Sequence, residues 1–158
     1  MQGSVVNWCM MTTTNIPWDN ITEFGQKTLL QGQLFTVSWI LARFCNYNCS
    51  YCWPYARSST PDHQSLEVYK QTIDTIKEQA RANGFTDYHF SFSGGEPTAY
   101  KYFGEVIDHY CSDTAPKYQS IHMTTNLSPG SKWWNRWLES TSTLQRRSIT
   151  ASYHAEFA

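Results

Sequence analysis

From Leu34 onward the chain alternates between two hydrophobic periods, and this alternation limits the folds open to it more than any other feature. Residues 34–41, LFTVSWIL, are rich in β-branched and aromatic side chains and read as a strand. Leu66, Tyr69, Ile73, Ile76 and Ala80 then recur at steps of three and four, which marks an amphipathic helix. Ser65 is its expected N-cap and Asn83-Gly84 its stop. Residues 88–93 form a second predicted strand, and Phe103, Val106, Ile107 and Tyr110 mark a second helix. A third strand is expected over 120–125. Trp133, Trp134, Trp137 and Leu138 outline a third helix, capped by Ser128 or Ser131, before a fourth strand over 148–153. Strands alternating with helices make βαβ units around a parallel sheet, so the expected class is α/β. Residues 1–33 are polar and weakly patterned. They read as an N-terminal extension, with a hairpin turn at Gln31-Gly32, ahead of a core at 34–158.

The chemistry-bearing residues fall where predicted strands end. Cys45, Cys49 and Cys52 follow the first strand, Gly94-Gly95-Glu96-Pro97 the second and Asn126 the third. Ser152, His154 and Glu156 close the fourth. Parallel α/β sheets build their sites at the carboxyl ends of strands, so four separate segments point to one face. Cys-x3-Cys-x2-Cys folds a short loop on which three thiolates can serve one metal or iron–sulfur centre. Three local ligands leave one position open, which is how catalytic rather than purely structural centres are arranged.

Composition excludes several classes. A formal net charge of −1 gives no electrostatic case for nucleic acid or an anionic membrane. Hydrophobic residues at 41% and charged residues at 16% describe a globular chain. No run approaches the roughly 20 apolar residues of a membrane span. Residues 1–18 lack the basic and apolar regions of a secretory signal. Five cysteines, three of them crowded together, make no disulfide framework, and a reducing, cytoplasmic setting is expected.

The cysteine spacing, with Tyr51 just before the last cysteine and a strand ending in Gly94-Gly95-Glu96-Pro97 some forty residues on, resembles the radical S-adenosylmethionine (radical SAM) enzymes. The strand end Met123-Thr124-Thr125-Asn126 is similar to that family's third-strand motif, and the likeness spans residues 34–157. It implies a partial (βα) barrel in which Cys45, Cys49 and Cys52 hold a [4Fe-4S] cluster whose fourth iron is chelated by S-adenosylmethionine. One-electron reduction from a flavodoxin- or ferredoxin-type donor would release a 5′-deoxyadenosyl radical that takes hydrogen from a substrate. The resemblance also implies that Gly94, Gly95, Glu96 and Pro97 meet the methionine moiety. Gly94 and Gly95 would admit it without a Cβ clash, and Glu96 would accept from its amino group. Tyr51 would lie near the adenine, and Asn126 and Ser152 near the methionine or ribose. The family builds six βα units and this sequence offers four, so a fragment of a longer product is expected, with an exposed strand edge. Within the family, a glycyl-radical-activating enzyme is the alternative by size.

Other readings stand beside this one. The three thiols would also serve zinc, with Cys9, His63, Cys111 or His154 as a fourth ligand, although no second Cys-x2-Cys pair is present. Gly-Gly-Glu-Pro alone reads as a turn, and only its place after a strand gives it a binding role. Cys111 reads as a small buried hydrophobe, and Cys9 carries no assignment. His63, His89, His109 and His122 read as ordinary structural histidines. His154 and Glu156 are open between a site role and a structural one. Arg57, just past the cysteines, is open between an anion contact and a surface residue.

Overall fold

The computed structural model describes residues 34–53 and 57–157, all within one compact unit, Gly32–Ala158. The expected N-terminal extension, its hairpin and Cys9 lie outside the described residues. Four strands, β1 (Leu34–Ile40), β2 (Asp87–Ser93), β3 (Gln119–Thr125) and β4 (Arg146–Ala151), form one open, wholly parallel sheet in the order β1-β2-β3-β4. Helices α1 (Leu66–Ala82), α2 (Phe103–Cys111) and α3 (Ser131–Ser140) make the three crossovers, and neighbouring helices pack on one another. Four parallel strands in one open sheet are the architecture of a partial (βα) barrel.

Strand period two decides which side of the sheet the helices cover. Tyr88, Phe90 and Phe92 of β2, with Ile121 and Met123 of β3, are wholly buried. They meet Tyr69 and Ile73 of α1, Phe103, Val106, Ile107 and Tyr110 of α2, and Trp137 of α3 in one core. Ring contacts knit the layers: Trp39 of β1 lies edge-on to Tyr69 at 5.8 Å, and Phe92 edge-on to Phe103 at 5.5 Å. Cys111 packs against this core, and burial pushes its thiol up to about 12, as befits a small hydrophobe.

The alternate residues give the sheet a polar second face. Thr36 and Ser38 of β1 pair in register with His89 and Ser91 of β2, and His122 and Thr124 of β3 with Ser148 and Thr150 of β4. Hydrogen bonds run along this face from His89 Nδ1 to Ser120 Oγ at 2.8 Å, and from His122 Nδ1 to Ser148 Oγ at 2.9 Å. Parallel strands covered by helices on both sides read as continuous apolar runs. These strands do not, and among the described residues helices pack on only one of their faces.

The cap chemistry is partly as expected. Ser65 Oγ accepts from Val68 N at 3.3 Å, and Asn83 caps the other end of α1 before Gly84 at φ 85°. The expectation for α3 is corrected: Gly130 is its N-cap, with no side-chain hydrogen bond, and Ser131 is its first residue. Ser128 lies two residues before that cap, and its hydroxyl accepts from Asn46 Nδ2 of the cysteine loop at 2.9 Å. The fourth strand also ends earlier than expected, at Ala151. Ser152 N still donates to Thr125 O at 2.8 Å, and the chain then bends into a 3₁₀ turn at Ala155–Phe157.

Phe92 joins β1, β2 and α2 through its ring contacts with Trp39 and Phe103. Phe92→Ala is expected to lower unfolding stability by about 3–5 kcal/mol in urea denaturation, the usual cost of emptying an aromatic core position. A loss below about 1 kcal/mol would mean the core closes over the gap without it.

Candidate metal and cofactor centre

Residues 41–53 leave β1 and fold over the carboxyl end of the sheet, held at both ends. At the entry, Asp62 Oδ1 accepts from Arg43 N at 3.1 Å and Phe44 N at 2.9 Å, while Arg43 Nε reaches Oδ2 at 3.3 Å. Burial works to raise the Asp62 carboxyl, but the bonds from Arg43 and Phe44 outweigh it and hold the group below its ordinary range. The returning chain is tied alongside: Ser58 N donates to Arg43 O at 2.8 Å and Cys45 N to Ser58 O at 3.2 Å. Inside the loop, Cys52 N donates to Cys49 O at 3.2 Å, and Tyr47 N points to Cys45 Sγ at 3.4 Å.

Two other strand ends grip the loop from above. Asn126, after β3, donates from Nδ2 to Asn46 Oδ1 at 2.9 Å. After β4, Ser50 donates to Glu156 twice, from its N to Oε2 at 2.8 Å and from its hydroxyl to Oε1. These two bonds hold the Glu156 carboxyl below its usual range. His154 Nδ1 lies 3.2 Å from Cys49 Sγ and 2.5 Å from Tyr51 Oη, and Phe157 stacks on Tyr47 at 4.4 Å. The Tyr51 hydroxyl, against Cys49, is pushed up to about 12. His154 and Glu156 are therefore parts of the loop's mounting.

The structure gives the glycines a packing role that the sequence did not suggest. A Cβ on Gly94 would lie 2.3 Å from Ala42 O, and one on Gly95 would lie 2.0 Å from Phe44 O. Gly94 also sits at φ 126°, which side chains rarely adopt. What the missing side chains admit in this structure is the cysteine loop's own backbone. Gly95 N donates to Ala42 O at 2.9 Å and Glu96 N to Phe44 O at 2.8 Å.

Glu96 is 2% exposed and its carboxylate is already in use. Oε1 accepts from Thr98 Oγ1 at 2.5 Å, Thr125 Oγ1 at 2.8 Å and Thr98 N at 3.1 Å, and Oε2 from Asn126 N at 2.6 Å. A single side chain thus ties the end of β2 to the end of β3. Pro97 opens the 3₁₀ turn Pro97–Ala99 beneath it, is buried, and does not line the cavity described next.

These pieces enclose one cavity of 250 Å³. Cys45, Cys49, Cys52 and Tyr51 form one side of its lining, with Arg57 beside them; Gly94, Gly95 and Glu96 form another, and Asn126, Ser152 and His154 are among the remainder. Among the described residues, no three His, Cys, Asp or Glu side chains stand close enough to hold a single metal ion. Zinc requires its ligands to converge on one point with Zn–S near about 2.3 Å, whereas a cubane takes each thiolate at a different iron and so spreads them. Burial, with the charges of Glu96, Cys49 and Cys52 close by, pushes the Cys45 thiol up. Three thiolates beside a buried carboxylate call for a compensating cation, and a metal centre supplies it. The donor set and the cavity fit such a group.

The chain is thus an α/β sheet that sets three cysteines, on the loop after its first strand, against a glycine–glutamate turn after its second. The family model of the radical SAM superfamily matches residues 39–144, well over half of the chain. The protein belongs to the radical SAM superfamily, whose members in general use a [4Fe-4S] cluster with S-adenosylmethionine and an external reductant. No curated protein and no solved structure matches the chain. No described helix is long and apolar enough to cross a membrane.

Sequence reasoning missed Asp62, Asn46, Ser50 and Thr125, the residues that mount the loop. None stands in a recognisable spacing, and their partners lie 18 to 106 residues away. Only Thr125, beside Asn126 in the third-strand motif, carried a local signal.

Two outcomes follow from this mounting. Glu96→Ala leaves the Thr98 and Asn126 N–H groups without an acceptor and is expected to cost about 2–4 kcal/mol in denaturant unfolding, with Glu96→Gln falling between it and the parent. Equal stability of all three proteins would show that the β2–β3 tie carries no energy. The lowered Asp62 carboxyl contributes stability that is full above its unfolded value of about 3.9 and is lost as pH falls through the lower folded value. Asp62→Asn should therefore be the less stable protein at neutral pH, with the gap closing below about pH 4. A gap that stays constant with pH would remove the charge from the explanation.

Proposed function

We propose that residues 34–158 are the core of a radical SAM enzyme, with residues 1–33 as an extension, and that Cys45, Cys49 and Cys52 ligate its [4Fe-4S] cluster. The observation that carries this reading is that the cysteine loop, the glycine–glutamate turn and the ends of β3 and β4 all line one cavity at the carboxyl edge of the sheet. When bound, the reduced cluster supplies one electron that splits the sulfonium C5′–S bond of S-adenosylmethionine into methionine and a 5′-deoxyadenosyl radical, which then abstracts hydrogen from the substrate. The electron comes from a donor of flavodoxin or ferredoxin type.

The chain's own residues bind, orient and shield. On binding a metal centre the three thiols would release their protons to solvent, and the centre's positive charge would offset the burial and the neighbouring negative charges that raise Cys45. Gly94 and Gly95 bring the β2 end against the loop backbone, so the ligand-bearing segment is braced before anything binds. Glu96 keeps that brace in register with β3. Its Oε2 holds one hydrogen bond, which leaves acceptor capacity toward the cavity for the amino group of the methionine moiety. Asn126 and Ser152 add polar contacts for the methionine or ribose, and Tyr51, 59% exposed, offers its ring to the adenine. Pro97 acts through the turn it opens rather than by contact.

The test is anaerobic reconstitution with iron and sulfide, followed by electron paramagnetic resonance of the reduced protein with and without S-adenosylmethionine. The expected result is a [4Fe-4S] signal that changes shape with the cofactor. Each of Cys45→Ala, Cys49→Ala and Cys52→Ala should lose the cluster. Zinc without inorganic sulfide, or full iron content in any single variant, would falsify the ligand assignment.

A further inference from the structure

We infer that Arg57 forms an anion subsite at the wall of the cluster cavity, one that takes a carboxylate or phosphate group. The inference rests on the cluster reading and assigns a ligand chemistry to the same site. Arg57 lines the cavity that holds Cys45, Cys49 and Cys52, and it also lines a second cavity of 470 Å³ shared with Cys45, Asn48 and Ser59. Its position is fixed from the backbone. The next residue, Ser58, bridges to Phe44 and exchanges hydrogen bonds with Arg43 and Cys45, so the Arg57 side chain starts beside the first cluster cysteine.

Among the described residues the guanidinium has no hydrogen-bond acceptor. Its Nε is buried without a hydrogen-bond partner, and no ion pair among the described residues includes Arg57. A permanently charged group with a buried, unsatisfied N–H is costly unless an anion completes it. The carboxylates nearest this loop are already committed. Asp62 is taken by Arg43 and Phe44, Glu96 by Thr98, Thr125 and Asn126, and Glu156 by Ser50. The missing acceptor therefore comes with a ligand. The guanidinium fork matches carboxylate and phosphate oxygens two at a time. Exposed Asn48 and Ser59 add neutral donors on the side of the second cavity. Two molecules could bring that anion: the carboxylate end of S-adenosylmethionine, or an acidic group on the substrate.

The test compares the full chain, reconstituted and cluster-free, with Arg57→Gln and Arg57→Lys, by calorimetric titration of three probes. S-adenosylhomocysteine carries the carboxylate, 5′-methylthioadenosine lacks it, and inorganic phosphate stands for a substrate anion. Arg57→Gln should keep the parent's iron content and lose about tenfold or more in affinity for one anionic probe, the effect of removing a charge-assisted hydrogen bond. Arg57→Lys should recover part of it. A loss confined to S-adenosylhomocysteine, with 5′-methylthioadenosine unchanged, assigns the subsite to the cofactor. A loss confined to phosphate assigns it to the substrate. Unchanged affinity for both anions, or no binding of either by the parent, overturns the inference. So does a fall in iron content, or an altered cluster signal with anion affinity intact, since Arg57 would then serve the loop or the cluster charge. Because phosphate is also read on cluster-free protein, a chain that takes up no cluster defeats the proposed function without deciding this point.

Discussion

The buried carboxylate of Glu96 is the contact on which the carboxyl edge of this sheet depends. It stands at the end of β2, yet it collects donors from its own turn and from the end of β3, four in all. A carboxylate out of water is stable only when its lone pairs are filled, so the donors cannot move without exposing a charge to an apolar surrounding. Its backbone N–H also holds Phe44 O, just before the first cysteine. One residue therefore fixes the cysteine loop, the second strand and the third against one another. The usual view of an acidic site residue as a waiting ligand contact is incomplete here, because most of what Glu96 does is done before any ligand arrives.

The element order was legible because it is local. Periodicity located the four strands and three α-helices of the described residues, and Ser65, Asn83 and Gly84 act as the caps their chemistry predicts. The errors came where distant partners outbid local ones. Ser128 is a good cap by type, but Asn46 from the cysteine loop takes its hydroxyl. β4 stops at Ala151 although Tyr153 has strand character, because the bend lets His154 and Glu156 reach Cys49 and Ser50. The cysteine, glycine and asparagine positions of the site could be read from their motifs. The reason for the glycines could not, since it lies in how close the backbone of Ala42 and Phe44 comes.

The two faces of the sheet carry different information. The helix side is aromatic and close-packed, and it would serve any βα protein of this size. The other side is a field of hydroxyls with His89 and His122 set among them, each imidazole held by a serine on the next strand. Burial disfavours the charged form of His89, so that ring is kept neutral and available as donor and acceptor. Such a surface gains little from apolar groups and much from ligands that can answer hydrogen bonds.

The three grips on the cysteine loop also differ in kind, and this bears on how a metal centre would be protected there. Asp62 holds it with a charged acceptor and Glu96 by donating its backbone N–H to Phe44 O, while the segment after β4 holds it with Glu156 on Ser50 and with aromatic contacts from His154 and Phe157. The first two are braced by backbone N–H groups and resist displacement. The last lies on exposed residues, where an ion–dipole contact is weakened by water and salt. Opening of the loop should therefore begin at the β4 side, next to Cys49 and Tyr51, while Cys45 stays anchored by Ser58.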